Sequence, residues 1–454
     1  MKTSLDFVDL TTPYRANASR ALQELVRINS VYDEKSITAS TPYGAGVEKA
    51  LKYVGRLARQ FGFEVDYCDN RVTEMTYGKG EQLVSIFAHV DVVPVGSDWK
   101  HTPFAAEIEK GKMFGRGTSD DKGPLIAAFY AIKALKDNEL IKDYRVRLVV
   151  GGDEERGSSC LRYYFEKLKR ESPTFGFTPD AVFPVVYGEK GISNFKSKLN
   201  IVLPGIMKIN GGEAVNSVID QTVVVMKTDD RFENYLAELR HHPNIVRGNG
   251  ISTITFHGKS AHGSTPKSGV NSGLLALEAL GSFYQNGILE KITAQFADFD
   301  GKPFKGFAQS KDLGATTYNL GVINYDGKVL EMKVNFRYPE GVDDRQFIKK
   351  YDEASGLTSE IYSQSRVLLF PTKSPLIKTL MNAYREESLD KKSKPQTMGG
   401  GTYAKEAPNT VAFGAVFPDE NTHVHEADEY IKLTNFYMAM AIFARAIHAL
   451  GHLK

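Results

Sequence analysis

Five short segments of this chain concentrate imidazoles and carboxylates, the donors that hard and borderline divalent cations prefer, and most follow a strand-like run. His89-Val90-Asp91 closes the run SIFAHVD. Residues two apart in a strand share a face, so the Asp91 carboxylate can lie beside the His89 ring, fixing its tautomer and raising its basicity. The glycine-rich run Gly115 to Gly123, GRGTSDDKG, precedes a helical pattern. It lacks the strand–GxxxxGK[ST] order of a phosphate loop. Paired aspartates there can simply cap the helix, or, with glycines permitting unusual backbone, Asp120 could bridge two cations. Gly151-Gly152-Asp153-Glu154-Glu155 follows a β-branched strand, where one glutamate can hold a metal while its neighbour takes a proton from water. Asp180 stands before a predicted strand, AVFPVV, and the run His423 to Glu429, HVHEADE, sets two of the chain's 10 histidines among three carboxylates. Each segment alone has an ordinary structural explanation; the signal lies in the set.

The elements that must position these residues are legible as patterns. Ser19 to Arg27 and Gly46 to Phe61 carry apolar residues at helical spacing, with Leu51, Val54, Leu57 and Ala58 on one face. Strand-like runs follow at Phe63 to Tyr67, Val72 to Tyr77, Leu83 to Val93 and Val146 to Val150. A helix is predicted from Lys122 to Asp137, with Pro124 acceptable in its first turn. This alternation predicts an α/β catalytic domain, a mixed sheet flanked by helices. After Gly188 the texture becomes α+β. Half-solvated strands are predicted at Gly191 to Leu203 and Ser252 to His257, and a hairpin turns at Asp326-Gly327. Helices are predicted at Asn271 to Gln285 and Asp344 to Ala354. The α/β texture resumes past Pro371 with a helix from Pro375 to Glu386, a strand from Thr410 to Phe417 and a final helix. The expectation is one catalytic domain, 1–187 with 372–454, interrupted by an inserted α+β lid, 188–371.

Bulk properties exclude several classes. With 57 basic against 55 acidic residues the net charge is +2, so no field favours nucleic acid or an anionic membrane. Phe436 to Ala449 is interrupted by Arg445 and His448 and falls short of the ~20 apolar residues that span a bilayer. The start, MKTSLDFVDLTTPYR, has no apolar stretch of signal-peptide length. Cys68 and Cys160 are the only cysteines, too few for a disulfide framework, and Cys160 reads as a packed helix residue; a cytoplasmic location is expected.

Taken in order, HVD, GRGTSDDKG, GGDEE, TPD and HxxDE resemble the aminoacylase, succinyl-diaminopimelate desuccinylase and glutamate carboxypeptidase family of co-catalytic metallohydrolases. The longer runs HVDVVPVGSDW, GRGTSDDKGP, GGDEERGS, GKSAHGSTP, VNFRYP and GGGTYA are similar to its PepV-type, carnosinase-like dipeptidase branch, over essentially the whole chain.

That resemblance implies a zinc-peptidase-like fold and two divalent ions, zinc first, with manganese or cobalt as alternatives. His89 and Asp180 would hold one ion, Glu155 and His425 the other, and Asp120 would bridge them, with a cis bond between Asp120 and Asp121. Asp91 would orient His89, and Glu154 would be the general base. His262 would stabilise the oxyanion from the lid, Asn216 would contact substrate or oxyanion, and Arg337 would grip the substrate carboxylate as a planar bidentate donor. Gly400, Gly401 and Thr402 would add donors to the same carboxylate. Lys405 stands where relatives commonly carry arginine, which bears on specificity. The implied activity is dipeptide hydrolysis by a monomer, with a homodimer as the alternative assembly. The alternative chemistry is N-acyl amino acid deacylation or desuccinylation at the same metals.

Overall fold

The computed structural model describes residues 5–453 and divides into two compact units. The first comprises the described chain up to Gly188, Leu368–Thr397 and the chain from Thr402; the second comprises Glu189–Val367 with Met398–Gly401.

The first unit is built on a mixed sheet. Its strands run in the order Glu64–Asp66, Val72–Gly78, Arg145–Gly151, Leu83–His89, Phe175–Thr178, Thr410–Ala412, Val186–Glu189 and Leu368–Leu369. Leu83–His89 lies parallel to both of its neighbours, and every residue of it is buried. A strand covered on both faces is a near-continuous apolar run, which is why LVSIFAH, interrupted by Ser85 and ended by His89, does not alternate. The helix Ala45–Gln60 packs one stripe on the core through Val47, Ala50, Leu51, Val54 and Ala58, at the three- and four-residue spacing of a helix face. Lys122–Asp137 is instead buried nearly all round, because the final helix, Leu433–Gly451, packs along it.

That final helix corrects the length argument made from sequence. At 19 residues it is long and apolar enough to cross a membrane by length and composition. Phe436, Met440, Ile442, Phe443 and Ile447 are nevertheless buried in the first unit's core, together with the residues of Lys122–Asp137.

Two predicted strands are broken. AVFPVV splits into Ala181–Val182 and Val186–Glu189 around Pro184, which has no N–H to offer a ladder. Thr410 to Phe417 splits into Thr410–Ala412 and Ala415–Val416 around Gly414, whose φ of 75° leaves the strand region. The strand begun at Leu83 ends at His89 rather than Val93.

The second unit carries an antiparallel sheet ordered Asn244–Gly248, Ile251–His257, Gln221–Lys227, Ile206–Gly211, Thr317–Tyr325, Val329–Tyr338, Gly191–Asn200 and Thr358–Ser365. Alternating burial along Gln221–Lys227 and Ile251–His257 marks a sheet with one packed face. The hairpin of Thr317–Tyr325 and Val329–Tyr338 turns at Asp326-Gly327. There the Asp326 carboxylate accepts from the Lys328 and Val329 amides at 2.9 and 2.8 Å. Helices Asp230–Glu238, Ser272–Tyr284 and Asp344–Ser355 begin at Asp229, Asn271 and Asp343, each of which accepts first-turn amides.

Candidate metal centre

Three adjacent parallel strands of the first unit deliver the site at their carboxyl ends, where open α/β sheets gather functional side chains. His89 ends its strand and pairs in register with Gly151, so the loop bearing Asp153, Glu154 and Glu155 emerges beside it. On the other side the strand Phe175–Thr178 ends two residues before Asp180. Gly151 is glycine for a packing reason: a Cβ there would sit 2.0 Å from the Tyr403 hydroxyl.

The His89 ring is fully buried. Its Nδ1 lies 2.9 Å from the Asp91 carbonyl oxygen and 3.4 Å from the Asp91 carboxylate. Nδ1–H therefore donates to Asp91, mainly to its backbone, and Nε2 faces the cluster, 3.0 Å from Asp120 Oδ1 and 3.9 Å from Asp180 Oδ2. The Asp91 carboxylate does a second task that the spacing did not indicate. Its two oxygens accept the amides of Glu154 and Glu155, each at 3.1 Å.

Asp120 faces two ways. Oδ1 meets His89, while Oδ2 lies 2.9 Å from His425 Nε2, itself 3.1 Å from Glu155 Oε1. The candidate ligands thus form two groups, His89–Asp120–Asp180 and Asp120–Glu155–His425. Within each, one ligand atom per residue lies within 4.8 Å of the others. The Asp120–Asp121 peptide bond is cis. Asp121 accepts the His89 amide at 3.1 Å through Oδ2, and its Oδ1 is buried without a hydrogen-bond partner among the described residues. His425 sits on a loop in which His423, His425 and Asp428 all take left-handed φ values of 57°, 64° and 57°, costly for non-glycine residues.

Electrostatics mark the cluster as built for cations. Burial pushes the Asp180 and Glu154 carboxyls well above the usual carboxylate range, and neighbouring carboxylates, Asp120 among them, push them further. Glu155 is raised by burial and by Asp120, with His425 opposing. Burial works against the charged form of His425, but Asp120 and Glu155 outweigh it and hold its pKa at about 11. Burial likewise opposes charge on His89, and Asp120 and Asp91 raise it well above the ordinary value. Asp120 is the exception among the acids: burial would raise it, yet His425 and His89 hold it below its usual value. Four carboxylates, Asp120, Glu154, Glu155 and Asp180, converge on two imidazoles. A donor set of oxygens and ring nitrogens with that excess of negative charge fits two divalent cations.

The second unit holds a separate polar cluster. Arg337 is 3% exposed. Its Nε donates to Asn335 Oδ1 at 2.7 Å, one terminal nitrogen donates to the Gly399 carbonyl and the other lies 3.4 Å from His262 Nε2. Burial lowers its pKa to about 10. His262 is exposed, with Nδ1 2.6 Å from Ser264 Oγ, and Asn216 is its backbone neighbour, the Asn216 carbonyl accepting the Gly263 amide at 2.7 Å. Gly400 and Gly401 belong to this unit, following Gly399. Thr402 belongs to the first, where its hydroxyl accepts the Ala404 amide at 3.2 Å and begins the turn Tyr403–Lys405. Lys405 is buried in that turn.

Sequence reasoning missed Glu429. It lies four residues after His425, and its carboxylate accepts backbone amides from the Asp120 loop; the sequence signal was its place closing the HxxDE run, a place to which no role was given.

A mixed α/β sheet with two imidazole–carboxylate groups at its strand ends has the donor set of a metal-dependent enzyme. The chain belongs to Peptidase family M20/M25/M40, whose family model matches residues 86–449. A protein of Staphylococcus epidermidis named "Putative dipeptidase" is 35% identical over 456 residues, covering 94% of this chain and 96% of that one. Among solved structures, human carnosine dipeptidase 1 superposes with a TM-score of 0.61 at 14% identity, covering 98% of both chains. The M20 family metallo-carboxypeptidase Sso-CP2 of Sulfolobus solfataricus gives 0.60 at 18%, covering 96% of this chain and 99% of its own. These two likenesses establish the fold.

Proposed function

We propose that the chain is a dinuclear metal-dependent dipeptidase. The observation that carries the reading is Asp120, which turns one carboxylate oxygen toward each of two imidazole–carboxylate groups. His89, Asp120 and Asp180 would hold one ion, and Asp120, Glu155 and His425 the other. When bound, two such ions supply the positive charge that polarises the scissile carbonyl and acidifies water. Zinc suits the donor set, and manganese or cobalt would also be accepted.

The chain's own residues do the rest. Glu154 is half-buried, and its amide is pinned by Asp91. Its carboxylate takes the proton of the attacking water as the new C–O bond forms, and passes it to the amine nitrogen as the C–N bond breaks. Asp91 holds the His89 ring and the Glu154–Glu155 backbone at once. We assign residues 188–371 the role of a lid. Within the second unit His262 and Asn216 would steady the oxyanion, and Arg337, a buried guanidinium that donates to the Asn335 side chain and the Gly399 carbonyl, would receive the substrate carboxylate. Gly400, Gly401 and Thr402 would border it. The dipeptide assignment draws on the naming of relatives such as the Staphylococcus epidermidis protein. Two free, buried cysteines suit a cytoplasmic location, and the large inserted segment suits a monomer.

The test is a substrate panel with chelator-stripped, zinc-reloaded protein: dipeptides, including Xaa-His pairs, against N-acetyl and N-succinyl amino acids. Turnover of dipeptides that is lost on stripping and restored by metal supports the proposal. Turnover of acylated amino acids alone would replace it with a deacylase.

A further inference from the structure

Glu429 is 0% exposed, and among the described residues its carboxylate hydrogen-bonds to the Arg116 side chain and to backbone amides. Its Oε1 accepts the backbone amides of Gly117 at 3.1 Å, Ser119 at 2.9 Å and Asp120 at 3.2 Å. Its Oε2 accepts Arg116 Nη1 at 2.7 Å and shares the Gly117 amide at 3.1 Å. The backbone reinforces the joint: the Glu429 carbonyl accepts the Gly115 amide at 2.8 Å, and Ser119 Oγ donates to the Tyr430 carbonyl at 2.8 Å. The loop is shaped to reach this carboxylate. Gly117 sits at φ 90°, and a Cβ there would meet Val92 at 2.9 Å and Lys122 at 3.0 Å.

One residue therefore fixes the backbone from which Asp120 projects and ties it to the segment that carries His425. We propose that Glu429 is a positioning residue for the metal centre, acting through the Asp120 main chain; the inference rests on the reading of Asp120 as the shared ligand. The competing role is purely structural, a buried charge partner for Arg116, which is itself 1% exposed. The two differ in what they predict. A glutamine at 429 keeps the shape but turns an NH2 group toward either the amides or the guanidinium, each of which needs an acceptor. Methionine at 116 removes the charge partner and leaves the amide contacts in place.

The experiment compares wild type, Glu429→Gln, Arg116→Met and the double variant. Stepwise zinc affinity is measured by chelator competition, the visible spectrum after cobalt loading, and metal-free melting temperature. The proposal predicts that Glu429→Gln weakens zinc binding by about 10- to 100-fold, the range typical of residues that orient ligands, and alters the cobalt spectrum. Arg116→Met lowers the metal-free melting temperature while both affinities stay near wild type. The double variant recovers melting temperature relative to Glu429→Gln without recovering affinity, since removing a whole buried pair costs less than removing half of it. Wild-type affinity in Glu429→Gln, or its return in the double variant, overturns the proposal and leaves the metal centre standing. If Glu429→Gln does not fold, Arg116→Met decides: retained affinity supports the amide contacts, and a loss of about 10-fold or more overturns them. A wild-type protein that takes up no zinc would instead overturn the reading of the centre itself.

Discussion

Replacing Asp91 by asparagine separates two roles that a His-x-Asp motif conflates. The His89 ring donates its shorter hydrogen bond to the Asp91 carbonyl, 2.9 Å against 3.4 Å for the carboxylate, and the substitution leaves that carbonyl in place. What it removes is half of the carboxylate's grip on the Glu154 and Glu155 amides, each held at 3.1 Å. Asparagine has one acceptor oxygen, so one of those N–H groups would face an NH2. Asp91 is 3% exposed, so water cannot substitute for the lost acceptor. A hydrogen bond to a charged group contributes about 1.5–3 kcal/mol. At about 1.4 kcal/mol per tenfold, kcat/KM should fall about 10- to 150-fold. The loss should also be uneven: zinc binding through Glu155 weakens more than binding through His89 and Asp180. Steady-state kinetics at saturating zinc, paired with stepwise zinc affinities, read both effects. Unchanged kcat/KM, or a loss confined to the His89 group, would refute the assignment of the carboxylate to the glutamate backbone.

Further outcomes follow from the same geometry. Glu154→Gln should lower kcat by about 100- to 10,000-fold, the range for a general base, with zinc uptake retained. Because burial and neighbouring carboxylates disfavour its charge, the same variant should melt higher than wild type when metal-free, as read by calorimetry. Arg337→Met should raise KM for dipeptides while leaving metal stoichiometry unchanged, and should abolish discrimination against substrates whose C-terminus is amidated. On the final helix, burial holds His448 below the ordinary histidine range, with His452 adding to the effect. The unfolded chain then binds more protons than the folded one as pH falls through the ordinary value of about 6.5 and down to the lowered one. Stability is therefore lost on acidification across that window, and His448→Gln should flatten the drop in melting temperature there.

The site was legible where chemistry follows local periodicity, and opaque where it depends on register. The period of two put His89 and Asp91 on one face, and the helix begun at Lys122 runs to Asp137 as its pattern indicates. That the Glu154–Glu155 loop emerges beside His89 depends on His89 pairing with Gly151 across two strands far apart in sequence, which no local pattern carries. The amide-binding roles of Asp91 and Glu429 depend on that same tertiary approach, so both carboxylates look locally like ordinary acidic residues. The broken strands at Pro184 and Gly414 were readable in principle, since a proline or glycine inside an apolar run marks an interruption. The final helix was harder. Its apolar surface is the same whether lipid or protein covers it, and only packing against Lys122–Asp137 distinguishes the two.

Anomalous diffraction from zinc-loaded crystals tests the central claim most directly. The account predicts two zinc peaks, one on each carboxylate oxygen of Asp120 at about 2.0–2.2 Å, with His89 and Asp180 completing one and Glu155 and His425 the other. A single peak, or two peaks neither of which touches Asp120, would contradict it.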